Sequence, residues 1–60
     1  MTKKDYELIA RSIRVDRDLL DANGKKTADI ITAGLAEQFQ AMNPRFNRNL
    51  FLEASAYGEK

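Results

Sequence analysis

The chain contains no cysteine, no histidine and no tryptophan. Without cysteine there is neither a disulfide framework nor a thiolate metal site, and without histidine the commonest metal ligand and general base is missing. Proline occurs once, at Pro44, and the three glycines, Gly24, Gly34 and Gly58, stand far apart, so there is no glycine-rich phosphate loop. The longest apolar runs are two or three residues, far short of the roughly 20 that cross a bilayer. Lys3-Lys4 are not followed by the apolar stretch of a signal peptide, so the chain reads as a cytoplasmic protein with no membrane partner. An excess of one charge is also lacking. Ten basic residues face nine acidic ones, a net charge of +1, which gives no general attraction to nucleic acid.

What remains is a short chain with helical patterning. At 60 residues it reads as one domain, 1–60, of a size that buries only about 60% of its unfolded surface, so association is the available means of adding to a small core. Thr2 is a good helix cap and Asp5 can answer it three residues on, which predicts a first helix from about Lys3 to about Asp21. At roughly 100° per residue Tyr6, Ile9, Ile13 and Leu20 share its core face. The pairs Lys3 with Glu7, Glu7 with Arg11, Arg14 with Asp18 and Arg17 with Asp21 are four apart and predict a solvated ladder on the remainder.

Ala22-Asn23-Gly24-Lys25-Lys26 is predicted to be the turn, because Asn-Gly readily adopts positive φ. A second helix, capped by Asn23 or Thr27, then runs from about Lys25 or Ala28 to about Met42, with Ala28, Ile31, Leu35, Phe39 and Met42 as its apolar stripe. Asn43-Pro44 stops it. Asn47 caps a third helix from about Arg48 to Tyr57, with Phe46 and Phe51 spaced as a hydrophobic staple and Gly58 in the left-handed position after the last turn. The expected fold is all-α, an antiparallel helical hairpin with a short third helix.

Catalytic chemistry finds little to use. Ser12, Ser55, Thr2, Thr27 and Thr32 are the hydroxyls, and none has a histidine to activate it. Asp16, Asp18 and Asp21 lack the glycine turn and final glutamate of a calcium loop and read as solvated helix charges. No catalytic residue, metal site or cofactor is expected.

Two surface features carry more information. Leu8, Val15 and Leu19 form a second apolar stripe, about 120° around the first helix from its core face. Either the third helix covers it, or it is a self-association or partner-binding surface. Ile30, Gly34 and Ala41 likewise lie off the main stripe of the second helix, and the small ones would let another helix approach closely. The other feature is Arg45, Asn47, Arg48 and Asn49. Arginine and asparagine suit guanine and adenine edges, and these residues surround a helix start, so they are candidate nucleic-acid or anion contacts. Against a helix-turn-helix, the second helix is long, and its connecting turn holds proline rather than glycine. The bland alternative is that Asn47 caps, Phe46 staples and the arginines solvate the corner.

The opening Met1-Thr2-Lys3-Lys4-Asp5-Tyr6-Glu7-Leu8-Ile9-Ala10 and the later Asn43-Pro44-Arg45-Phe46-Asn47-Arg48-Asn49-Leu50-Phe51-Leu52-Glu53-Ala54 resemble the ends of small uncharacterised proteins encoded in bacteriophage genomes. The resemblance implies the same helical architecture and a phage or prophage origin, and it brings no active site. Asn47 and Asn49 stand where that pattern has aspartate and glutamate, which leaves the corner less acidic. Phage genomes carry many short proteins that bind and redirect host machinery, including inhibitors of defence systems. The resemblance therefore implies a protein-binding module directed at a host protein in the host cytoplasm, and the small core, which gains from burying the second stripe of the first helix between subunits, predicts a homo-oligomer, most simply a two-fold dimer. The alternative is a DNA-binding regulator that reads with Arg45 to Asn49.

Overall fold

A computed structural model describes Thr2 to Glu59, and it is built from three helices: α1 (Lys3–Arg17), α2 (Ala22–Met42) and α3 (Arg48–Ala54). Among the described residues there is no strand. The all-α hairpin with a short third helix is the observed architecture.

Local signals set most boundaries. Thr2 and Asp5 form the reciprocal capping box, with Asp5 N–H donating to Thr2 Oγ1 at 3.4 Å and Thr2 N–H to Asp5 Oδ2 at 2.9 Å. At the other end of α2, Asn43 N–H closes the last turn on the Phe39 carbonyl at 2.8 Å, and Phe46 N–H bonds the Asn43 carbonyl at 2.9 Å across Pro44-Arg45. Asn47 Oδ1 then accepts from Leu50 N–H at 3.0 Å, and the Phe46 and Phe51 rings meet with centroids 5.5 Å apart. Cap and staple are both formed as the spacing predicts.

The connection between α1 and α2 departs from expectation. Helix α1 stops at Arg17, and Asp18, Leu19 and Leu20 form a turn in which Leu19 and Leu20 N–H bond the Asp16 and Arg17 carbonyls at 3.1 Å. The cap of α2 is Asp21, whose Oδ1 accepts from Gly24 N–H at 2.8 Å. Asn23-Gly24 is therefore the first turn of α2 and not a loop. Gly24 is required by close approach rather than by a left-handed φ, since a Cβ there would sit 2.9 Å from Leu20 Cβ. Helix α3 likewise ends three residues early. Tyr57 N–H bonds the Leu52 carbonyl at 3.0 Å and Ala56 N–H the Glu53 carbonyl at 3.1 Å, a Schellman ending with Ala56 itself at φ +60°. Gly58 is also left-handed, at φ +78°.

The core is small and sits where all three helices meet. Ala10, Ala36, Phe46 and Phe51 are buried at its centre, with Tyr6, Ile9, Ile13, Leu35, Phe39 and Leu52 packed around them. Ala10 of α1 and Ala36 of α2 are almost fully enclosed. With these two alanines at the centre of the core, the buried face of α2 is rolled by about 60° from the predicted stripe. Thr32 and Ala36 turn inward, while Ile31 and Met42 turn out to solvent. On α1, Leu20 is exposed in the turn, and Arg17 takes the core-facing position beyond Ile13.

Arg17 is buried to 3% exposure. Its Nε meets Asp29 Oδ1 at 3.0 Å and its Nη2 donates to Asp29 Oδ2 at 3.3 Å and to the Glu59 carbonyl. Asp29 Oδ2 also accepts from Gly58 N–H at 3.1 Å. The predicted partner Asp21 is instead the cap of α2. Among the described residues the ion pairs are Arg17–Asp29 and Arg48–Glu37, so the i,i+4 ladder expected along α1 is not formed.

Candidate partner-binding surfaces

The hydroxyls are largely engaged within their own helices. Thr32 Oγ1 donates to the Ala28 carbonyl at 2.7 Å, Ser55 Oγ to the Phe51 carbonyl at 2.8 Å and Thr27 Oγ1 to the Asn23 carbonyl at 3.2 Å. Each satisfies its hydrogen-bonding need locally, and none faces a second group that would take its proton. Among the described residues no three carboxylates converge in a way that would hold a metal ion.

The apolar stripe on α1 lies open. Helix α3 packs on the side of α1 that carries Tyr6 and Ala10, and this leaves Leu8 at 62%, Val15 at 56% and Leu19 at 82% exposure. Leu8 and Val15 project from α1 itself, and Leu19 from the turn that follows it. The covering role open to α3 in the sequence is thus unfilled for a physical reason: seven residues of helix, about 10 Å long, can close only one side of the hairpin.

The corner residues divide. Asn47 uses its Oδ1 as the cap of α3, and Arg48 Nη2 pairs with Glu37 Oε1 at 2.8 Å while its Nε is buried without a hydrogen-bond partner. Arg45 and Asn49 remain exposed. With Gln40 and Phe46 the four line a shallow, open depression. Two of the four candidate contacts therefore have intramolecular partners already, and the guanidinium of Arg48 is oriented by a carboxylate rather than by its environment at large.

Residues that the sequence left in separate groups come together as a groove between α1 and α3 of about 420 Å³. Tyr6, Phe46, Leu50 and Phe51 supply its apolar walls, and Lys3 and Arg45 stand among the charged ones. The four rings of Tyr6, Phe39, Phe46 and Phe51 pack edge-on or tilted, with centroids 4.7–5.5 Å apart. The staple spacing pointed to Phe46 and Phe51, but nothing in the sequence joined them to Tyr6, 40 or more positions away. Arg17, read from the sequence as part of the solvated ladder, was missed; the signal that could have found it is its place four residues beyond Ile13, on the core face, where an apolar residue is the ordinary choice.

Among the described residues no helix is long and apolar enough to cross a membrane. Comparison with protein-family models, with curated proteins and with solved structures finds no match to this chain.

Proposed function

We propose that the chain is a non-catalytic protein-binding module that self-associates and docks a host protein through Leu8, Val15 and Leu19. The observation that carries this reading is that all three stay at least 56% exposed in the folded chain. Among the described residues nine large apolar side chains are at least 42% exposed, and their burial against a protein partner would release about 25 cal/mol per Å². The resemblance to phage accessory proteins supports a host protein as the target and, by analogy, a modulator or inhibitor of host defence as the role.

The alternative, DNA binding, rests on Arg45 and Asn49, which are exposed, with Arg45 in no ion pair among the described residues. It is the weaker reading, because a net charge of +1 offers few phosphate contacts and Arg48 is held by Glu37. The two readings separate by substitution and salt. Under the preferred one, Leu8→Glu or Val15→Glu, each with wild-type helicity by circular dichroism, releases the captured host protein. Arg45→Ala with Arg48→Ala retains it, and 0.5 M salt, taken as about three times physiological strength, leaves the complex intact. Loss of all activity in the folded double arginine variant, with activity kept by the stripe variants, reverses the assignment.

A further inference from the structure

Asn23-Gly24 is a turn signal in the sequence, yet it is built into the first turn of α2. Its chemistry remains that of an asparagine followed by glycine. The side-chain carbonyl carbon of an asparagine can be attacked by the backbone nitrogen of the next residue, and the side chain on that residue decides how freely. The chain has four asparagines, and three are poorly placed for this reaction. Asn43 precedes Pro44, which has no N–H. Asn47 and Asn49 precede Arg48 and Leu50, whose side chains crowd the nitrogen, and Leu50 N–H is also held by Asn47 Oδ1 at 3.0 Å. Asn23 is the one followed by glycine, and it is exposed. Alanine is resisted at position 24, because its Cβ would sit 2.9 Å from Leu20 Cβ. Close packing of the joint between α1 and α2 thus leaves the Asn23 amide with an unshielded neighbour.

We propose that Asn23 is a site of spontaneous deamidation whose rate is set by fraying of the Asp21 cap. The Gly24 nitrogen gives up its proton and bonds to Asn23 Cγ; the Cγ–Nδ2 bond breaks and ammonia leaves, giving a cyclic succinimide. Water then opens the ring at either carbonyl. Breaking the bond from Cγ to the Gly24 nitrogen yields aspartate. Breaking the bond from the Asn23 carbonyl carbon to that nitrogen yields isoaspartate, in which the chain runs through the former side chain. No oxidant or reductant takes part. The folded chain opposes the first step in two ways. Gly24 N–H is bonded to Asp21 Oδ1 at 2.8 Å, so its proton is engaged, and removing it would set a negative nitrogen beside a carboxylate. The Asn23 carbonyl accepts from Thr27 Oγ1 at 3.2 Å, in a turn that Lys25 N–H closes on the Asp21 carbonyl at 2.9 Å, and this keeps the peptide plane from swinging toward Cγ. The turn must open first. Isoaspartate adds a carbon to the backbone between residues 23 and 24 and cannot restore these bonds, so the modified chain is expected to begin α2 later. The reaction is independent of what the chain binds.

Incubation of the full chain in warm, mildly alkaline buffer, followed by peptide mapping with mass spectrometry, tests the site. Conversion of the amide to the acid, with isoaspartate among the products, is expected at Asn23 well ahead of Asn47 and Asn49. Asp21→Ala is expected to raise the Asn23 rate by about fivefold, toward the limit set by the wild-type chain unfolded in urea. Asn47→Ala removes a cap of the same kind from α3 and separates local from global opening: it is expected to leave the Asn23 rate unchanged. Helicity is followed by circular dichroism throughout. Should Asp21→Ala lose its helical signal, Asp21→Ser carries the same comparison, since it keeps a capping oxygen and removes the carboxylate charge; its rate is expected to fall between those of the folded and the unfolded wild type. Equal rates at Asn23, Asn47 and Asn49 in the folded wild type overturn the site. No acceleration in the folded Asp21 variant, or an equal one in Asn47→Ala, overturns control by the cap.

Discussion

Where α2 turns into α3, four aromatic rings close the bundle, with Phe51 only 4% exposed. Where α1 turns into α2, the leucines of the turn face solvent and the side chain that ties the elements together is Arg17, through Asp29 and the backbone of the C-terminal segment. The aromatic end is held by burial, which is large, additive over area and tolerant of small shifts. The other end is held by directional bonds, whose net worth is modest but whose loss strands a carboxylate and a backbone carbonyl. The chain buries aromatic rings at one end and a hydrogen-bonded ion pair at the other.

The sharpest way to break this contrast is at the aromatic end. Phe51→Ala removes a ring that contacts both Phe39 and Phe46 and is expected to cost about 3–5 kcal/mol. For a domain of this size that is most or all of the total stability, so urea titration should find the variant largely unfolded.

Arg17→Ala comes next. Asp29 keeps 21% of its side-chain exposure and can recover some hydration, so the expected loss is about 2–3 kcal/mol, below that of a fully enclosed pair. Its signature is local: amide exchange at Gly58, whose N–H bonds Asp29, should speed up by more than exchange in α1 or the middle of α2. Arg17→Met with Asp29→Leu removes both charges together and should restore most of the loss on a double-mutant cycle.

Smaller effects calibrate the scale. Asn47→Ala deletes the cap of α3 and should lower stability by about 1 kcal/mol, read as a shift in the urea midpoint with unchanged slope. Arg48→Met breaks an ion pair whose members are 42% and 65% exposed and should change stability by no more than about 0.5 kcal/mol. If Arg48→Met proved costlier than Arg17→Ala, the contrast between a structural arginine and a surface one would be wrong.

Features that depend on residues three or four apart were legible in the chain. The Thr2–Asp5 box, the Asn43-Pro44 stop, the Asn47 cap and the Phe46–Phe51 staple need only local geometry, and each is formed. The angle around α1 also marked Leu8 and Val15 as a second apolar face, but only the structure decided that α3 leaves them open and that Leu19 stands in the turn after α1. Asp21 was equally local as a cap, but Asn23-Gly24 competed with it as a turn signal. The turn lost because the Asp21 carboxylate satisfies Gly24 N–H inside a helix.

By itself, then, the sequence determined three helices, the caps of the first and third, and the absence of the groups on which thiol and imidazole chemistry depend. Only the tertiary structure decided how the helices are rolled against each other. Ala10 and Ala36 are both enclosed at the centre of the core, and with that packing Thr32 is buried while Ile31 and Met42 face solvent against their hydrophobicity. The same packing places Arg17 under the C-terminal segment, bonded to Asp29 twelve positions away. Periodicity ranks the faces of one helix at a time, but burial is settled by the face its neighbours can reach, and a third helix of seven residues reaches only one.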